Sequence, residues 1–367
     1  MIPLKLDALS QCERSFESKD SDKSFVIRAT SQLSGDNKEK TFSYFKENAE
    51  AIKNLVKENG IVLFRDFSIS SIHDYEKILE TLGYDLFKTN KGGASPRANI
   101  TQKTFVSTEA PSPFIIGFHT EFCYQNKRPE MISFYCVEPS PKYGETPLFD
   151  CHKMWRSLSN ELRGKLKKKG LLYKRYFHRK KTRLNFKKSW QEAFETQNKK
   201  GAEAFLESEG MTYQWDKHGN LATELKIPAI IEDPVNGKTY LGITMFNADS
   251  FLYNFKYFES RYNPIFYYFL QWFVKMIYSK EDAFLQVFFG DSTTFSKAES
   301  EEIQRAAWDN AIVYHWKPKD LLIIDNIRFG HSRLNVTKPR KIIAAMANKY
   351  DIRQYKKEST NYGLEYP

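Results

Sequence analysis

The 367-residue sequence has no apolar run of the roughly 20 residues needed to cross a bilayer. The nearest, IFYYFLQWFVKMIY (265–278), is interrupted by Gln271 and Lys275 and is expected to form a buried helix. The opening MIPLKLDALSQCERSFESKD lacks the apolar core of roughly 7 to 15 residues that marks a secretory leader. Cysteine is scarce: Cys12, Cys123, Cys136 and Cys151 make no CxxC pair and no disulfide-dense cluster. These absences argue against a membrane protein, a zinc module and a disulfide-held secreted fold, and they point to a reducing cytoplasm. No internal repeat and no Pro/Gly/Ser linker divides the chain, so a single domain over 41–350 is expected, between an N-terminal extension (1–40) and a C-terminal tail (351–367).

What is present is a globular composition, 41% hydrophobic and 15% aromatic. The net charge of +11 is concentrated in RGKLKKKGLLYKRYFHRKKTRLNFKKS (163–189). Such a segment reads as a basic face for an anionic partner, or as a solvated insert, which is the usual fate of charge runs. No nucleic-acid-binding motif accompanies it, which disfavours nucleic acid as the partner.

Apolar periodicity predicts a helix over 42–60 closed by Gly60, a buried strand IVLFRDF (61–67), and a helix capped by Ser70 or Ser71 and closed by Gly83. Strands are expected at FIIGFHTEF (114–122), MISFYCVEP (131–139), IPAIIEDP (227–234), KTYLGITMFN (238–247), DLLIIDNIRFGHS (320–332) and PRKIIAAMA (339–347). The region 152–210, which holds the basic segment, reads as a mainly helical insertion. Two β-rich blocks parted by helices predict a mainly β fold, a folded-over double sheet or jelly-roll with helices outside.

His119 and Glu121 stand two apart, so in an extended strand their side chains share a face. His331 closes the most apolar strand of the C-terminal half. Two histidines and one carboxylate are the donor set of the facial triad that holds non-haem Fe(II) with open positions. The pattern alone leaves ordinary buried histidines as the competing explanation.

FHTEFCYQNKRPEMISFYCVEPSPKYGETPLFDCHKMWRSL (118–158) resembles the TauD/TfdA family of Fe(II)- and 2-oxoglutarate-dependent dioxygenases, in particular its SyrP-like branch. WKPKDLLIIDNIRFGHSRLNVTKPRKIIAAMA (316–347), NGIVLFRDF (59–67) and the segment 215–247 continue the likeness. The resemblance implies a double-stranded β-helix, cupin-like core in which His119, Glu121 and His331 hold the iron. It implies that Arg340, in the Pro-Arg pattern, and Thr146, in YGETP, bind 2-oxoglutarate, with Lys341 facing away. Arg333, Asn247 and Arg97 become tentative substrate-binding residues, each with a structural role as its alternative.

Three departures from the family pattern stand out: Tyr143 and Ser332 where glycine is usual, and Pro318-Lys319-Asp320 in place of Gly-Asp. Halogenating relatives carry a small residue at the carboxylate position, so Glu121 implies hydrogen abstraction or oxygen insertion. The apolar setting, with Ile115, Phe118, Phe122, Phe134 and Phe329, is expected to wall a dry site. The expected activity is hydroxylation of an unactivated carbon of an amino-acid-like small molecule, with O2 as cosubstrate and an acidic carrier protein as a candidate partner. Desaturation, epimerisation or cyclisation by the same chemistry, or a non-catalytic metal-binding jelly-roll, are the alternatives.

Overall fold

The structure, a computed structural model, describes residues 12–15, 26–29, 37–94, 97–108, 110–179, 188–233, 236–278 and 285–355. Two sheets carry the architecture. The major sheet has seven strands in the order Cys12–Ser15, Val26–Ala29, Ile61–Arg65, Leu321–Asp325, Lys127–Glu138, Lys341–Asp351 and Phe105–Val106. All its pairings are antiparallel except that of Val26–Ala29 with Ile61–Arg65. The minor sheet runs Ala311–Ile312, Leu148–Asp150, Phe329–Arg333 and Ile116–His119. Phe134 of the major sheet meets His331 of the minor sheet with ring centroids 5.0 Å apart, so the two face each other across the core. This is the expected jelly-roll, without a closed barrel.

The central strands are continuously apolar because both faces of the major sheet are covered. In Leu321–Asp325, Leu322 and Ile324 enter the core between the sheets, while Leu321 and Ile323 enter a second core under the N-terminal helices. Met346 and Ala347 divide in the same way. Arg65 and Asp320, at most 1% exposed, tie the ends of two neighbouring strands by a two-point ion pair at 2.9 and 2.8 Å. Removing one partner would strand a buried charge, a loss of roughly 3–5 kcal/mol.

The N-terminal helix expected at 42–60 is two helices, Lys38–Glu47 and Ala49–Asn59, parted at Asn48, whose side-chain amide donates to Tyr44 O. Gly60 does close the second helix, with φ of +79°, and a Cβ there would lie 2.5 Å from the Phe329 ring. Ser71 caps Ile72–Thr81 by accepting from the Asp74 amide. Part of the expected N-terminal extension belongs to the major sheet, through its two outer strands.

The region 152–210 is not wholly helical. Leu171–Phe177 is a strand and pairs with Leu285–Phe289 and Leu221–Ile227 in a third sheet. Its charges masked the alternation, because one of them, Arg175, is itself buried and donates to Gly92 O at 2.7 Å. The basic segment is thus divided between the end of helix Asn160–Lys169, this strand and residues 188–189, with 180–187 outside the described residues.

The expectation of a buried helix at 265–278 fails in its burial. Pro264–Tyr278 is helical, but among its described side chains Leu270 and Val274 are buried in the core and Phe266 and Tyr267 are partly buried against it, while Ile265 is 82% and Tyr268 70% exposed. A sequence apolar around most of the helix cannot reveal which face is covered. No helix among the described residues is long and apolar enough to cross a membrane.

Candidate metal and cosubstrate site

His119 is the last residue of Ile116–His119 and pairs directly across the minor sheet with His331. Their ring centroids lie 4.3 Å apart. Sheet register therefore brings together residues more than two hundred positions apart. Close approach of the two strands requires Gly330, where a Cβ would sit 2.5 Å from the Phe118 ring and 2.9 Å from His119 O.

The expectation that Glu121 follows His119 along an extended strand does not hold. The strand ends at His119 and the chain turns, with Phe122 in the left-handed region at φ of +58°. What aims Glu121 is Asn326, 1% exposed. Its Oδ1 accepts from Glu121 N at 2.7 Å, and its Nδ2 donates to Glu121 O at 3.0 Å and Pro129 O at 2.9 Å. Sequence reading missed this role, although Asn326 stands in the Asp-Asn step of the DLLIIDNIRFGHS segment.

Ligand atoms of His119, Glu121 and His331 all lie within 4.8 Å of one another, and His331 Nε2 is 4.0 Å from Glu121 Oε2. His119 Nδ1 is 2.9 Å from Gly117 O; as its donor, this nitrogen leaves Nε2 with a free lone pair. Burial pushes the His119 pKa down against the pull of Glu121, and burial with the neighbouring His119 and Arg97 pushes that of His331 far down. Both imidazoles are thereby held in the neutral form that binds metal. His331 Nδ1 is buried without a hydrogen-bond partner among the described residues. Two neutral imidazoles and a carboxylate that has lone pairs for both a guanidinium and a metal fit Fe(II).

A small cavity of about 40 Å³ opens beside this cluster, lined by Ile116, His119, Phe134, Thr146, His331 and Arg340 among others. Of the apolar wall expected from sequence, Phe134 lines it; Phe118 packs instead on Phe149, with centroids 5.4 Å apart, and Phe329 packs over Gly60. Thr146 Oγ accepts from Trp316 Nε1 at 2.9 Å and from Arg340 Nη2 at 3.2 Å, which leaves its own proton free to donate. Arg340 Nε donates to Gly144 O at 3.0 Å, and burial brings its pKa down to about 10. Lys341 is exposed. Tyr143, in place of the usual glycine, nevertheless takes the left-handed conformation, φ +63°, and Lys319 does the same at +71°. Ser332 Oγ is buried without a hydrogen-bond partner among the described residues.

The tentative substrate residues separate. Arg333 donates from Nη1 to Ala110 O and from Nη2 to Pro111 O and Phe114 O, anchoring the loop that flanks the cavity. Asn247 does not line the cavity: it caps helix Ala248–Tyr257, accepting from Ser250 N at 2.9 Å and donating to Ser300 Oγ. Arg97 lines the cavity and donates from Nη2 to Glu121 Oε2 at 2.8 Å.

Residues 28–346 match the profile described as taurine catabolism dioxygenase TauD, TfdA family. A clavaminate synthase-like protein of Arabidopsis thaliana is 27% identical over 314 residues, covering 82% of this chain and 85% of that protein. The dapdiamide synthesis protein DdaC of Enterobacter agglomerans is 25% identical over 284 residues, covering 77% and 80%. Among solved structures, PvcB from Pseudomonas aeruginosa superposes with a TM-score of 0.47 at 10% identity, covering 88% of this chain and 84% of that one.

Proposed function

Because this chain belongs to the TauD/TfdA dioxygenase family, an oxygenase family dependent on Fe(II) and 2-oxoglutarate, we propose that His119, Glu121 and His331 hold its iron and that it hydroxylates an amino-acid-like small molecule. The observation that carries this reading is the convergence of the three donors, two of which, His119 and His331, line a cavity together with Thr146 and Arg340. When bound there, iron with 2-oxoglutarate and O2 supplies hydrogen abstraction and oxygen transfer, leaving succinate and CO2.

The protein's own part is binding, orientation and exclusion of water. The Arg340 guanidinium, held by Gly144 O, receives the distal carboxylate of 2-oxoglutarate, and the Thr146 hydroxyl donates to the same group. Ile116 and Phe134 keep the space beside His331 apolar. Asn326 and Arg97 fix Glu121 from its backbone and its carboxylate respectively. No general base is needed, because the hydrogen leaves as an atom.

An amino-acid-like substrate is supported by DdaC, whose name places it in dapdiamide synthesis. Delivery on an acidic carrier has narrower support. Lys165 pairs with Glu161 and Glu299, Lys169 with Asp291 and Lys174 with Glu224, so only part of the basic segment remains available. Lys167, Lys168 and Arg179 are the exposed cations there without a carboxylate partner among the described residues.

The test is anaerobic titration with Fe(II) and 2-oxoglutarate. A visible charge-transfer band is expected in the wild type and its loss in His119→Ala, followed by succinate release coupled to a member of an amino-acid panel. A wild type that binds Fe(II) and 2-oxoglutarate without forming the band would reject the assignment of the metal ligands.

A further inference from the structure

Among the described residues, five of the nine large apolar side chains left exposed belong to one helix, Pro264–Tyr278: Ile265 (82%), Tyr268 (70%), Phe269 (49%), Trp272 (58%) and Met276 (37%). Steps of three or four residues set all five in one stripe, opposite the face that Leu270 and Val274 sink into the core. The stripe is continuous, with the Phe269 and Trp272 rings 5.9 Å apart between centroids. A whole aromatic side chain presents about 150–250 Å², so the exposed parts of these five come to about 600 Å², the upper end of what a monomer ordinarily leaves in one patch.

The order of side chains along the stripe fits a second copy of itself. Ile265 and Met276 lie equally far from its centre, and so do Phe269 and Trp272. Two such helices laid antiparallel about a two-fold axis at that centre set Ile265 of each copy against Met276 of the other, and Phe269 against Trp272. The helix contains no acidic residue and one cation, Lys275, on the flank of the stripe. At about 1.5 Å of rise per residue the two Lys275 side chains would stand about 14 Å apart along the axis, beyond the screening length of about 8 Å at physiological salt. Two facing stripes would remove on the order of 1,200 Å² from water, which reaches the standard size of stable interfaces. An anionic lipid surface fits less well: interfacial helices set a polar, Lys- and Arg-rich face opposite their apolar one, whereas here the opposite face is buried in the protein.

We infer that two copies of this protein pair through the Pro264–Tyr278 helix, antiparallel and in the register that sets Ile265 against Met276. The pairing is independent of the iron assignment, but it bears on the cavity. Phe273 of the same helix packs on Phe114, with ring centroids 5.9 Å apart, and Tyr262 Oη donates to Pro113 O at 2.9 Å. Arg333, which lines the cavity, holds the same loop by donating to Ala110 O and Pro111 O. A second copy thus braces from outside the loop that Arg333 ties to the cavity wall.

Sedimentation equilibrium of the full chain in the low-micromolar range is expected to show a dimer. Raising the salt from about 50 to about 500 mM should tighten it, because each copy carries a net charge of +11 while the seam carries almost none. Trp272→Glu should weaken pairing at least about a hundredfold with an unchanged circular dichroism spectrum, since symmetry places the change at two points of one seam. A mixture of Ile265→Cys and Met276→Cys should form an interchain disulfide on mild oxidation. Neither variant alone should exceed the wild type, because like positions would stand about 17 Å apart, too far to bridge. The inference is overturned if the wild type sediments as a monomer; a monomer that binds phosphatidylserine vesicles would assign the stripe to a lipid surface instead. It is also overturned if Trp272→Glu pairs as tightly as the wild type, or if the mixture crosslinks no better than either cysteine variant alone. Should Trp272→Glu fail to fold, the crosslinking result decides by itself, since both of its substitutions lie at exposed positions.

Discussion

Replacing Asn326 by alanine should separate stability from metal binding, and its cost follows from three contacts. The side chain is 1% exposed and joins Glu121 N, Glu121 O and Pro129 O at 2.7, 3.0 and 2.9 Å. Deletion leaves one buried N–H and two buried carbonyls short of a partner. An orphaned donor costs about 1–3 kcal/mol, and under-satisfied carbonyls cost less, so the sum is about 3 kcal/mol after partial relaxation. Urea unfolding of the metal-free protein measures this term. The second effect is on Glu121, whose main chain would lose its clamp on both sides, and loss of such support to a ligand typically lowers metal affinity 10- to 100-fold. Anaerobic Fe(II) titration reads that quantity separately. Asn326→Asp keeps the acceptor for Glu121 N but sets an oxygen against two carbonyls, so it should rescue neither measurement. A stability loss under about 1 kcal/mol together with Fe(II) affinity within threefold of wild type would refute the argument that this amide positions the ligand.

Gly330→Ala should destabilise the fold by about 1–3 kcal/mol or displace strand Ile116–His119, because the new methyl meets the Phe118 ring at 2.5 Å; thermal unfolding and Fe(II) affinity both report it. Burial raises the Asp325 pKa from 3.8 to about 6, so the native state binds more protons than the unfolded one between these values and stability falls as pH rises through that window, by about 3 kcal/mol in all. Asp325→Asn, which can keep the acceptor for the Ile327 and Arg328 amides, should flatten the slope of urea midpoint against pH between about 4 and 6. Arg340→Lys should weaken 2-oxoglutarate binding at least about tenfold with Fe(II) affinity unchanged, since a point charge cannot reproduce the fork beside Thr146.

The elements readable in advance were those whose local pattern matches their environment. Ile61–Arg65 and Leu321–Asp325 are apolar on both faces because both faces are covered, and Ser71 and Gly60 mark helix ends by local chemistry. The errors arose where tertiary contacts decide. Strand Leu171–Phe177 carries Lys174 and Arg175, and only the packing of Arg175 over Tyr124 and Phe177, 4.8 and 4.6 Å from the ring centroids, shows that its charge faces inward. The apolar run 265–278 conceals the opposite case, a helix whose aromatic side remains exposed. DLLIIDNIRFGHS reads as one strand and is two, Leu321–Asp325 in the major sheet and Phe329–Arg333 in the minor, joined by a turn that Asp325 caps through Ile327 N and Arg328 N.

The site divides along the same line. The motif residues His119, Glu121, Thr146, His331 and Arg340 form one neighbourhood, but the spacing argument offered for His119 and Glu121 fails at the strand end, where Asn326 and the left-handed Phe122 set the direction. Positions 119 and 331 meet through register, a property of two strands and not of either alone. Arg97 is the extreme case. An arginine in SPRAN has every local reason to be a solvated loop residue, since lone charges are seldom buried. It becomes buried because Glu121 is buried beside it: once a carboxylate is carried into the core, as the proposed metal ligand is, a fixed cation lowers the cost of holding it there. That requirement makes the Nη2 contact with Glu121 intelligible.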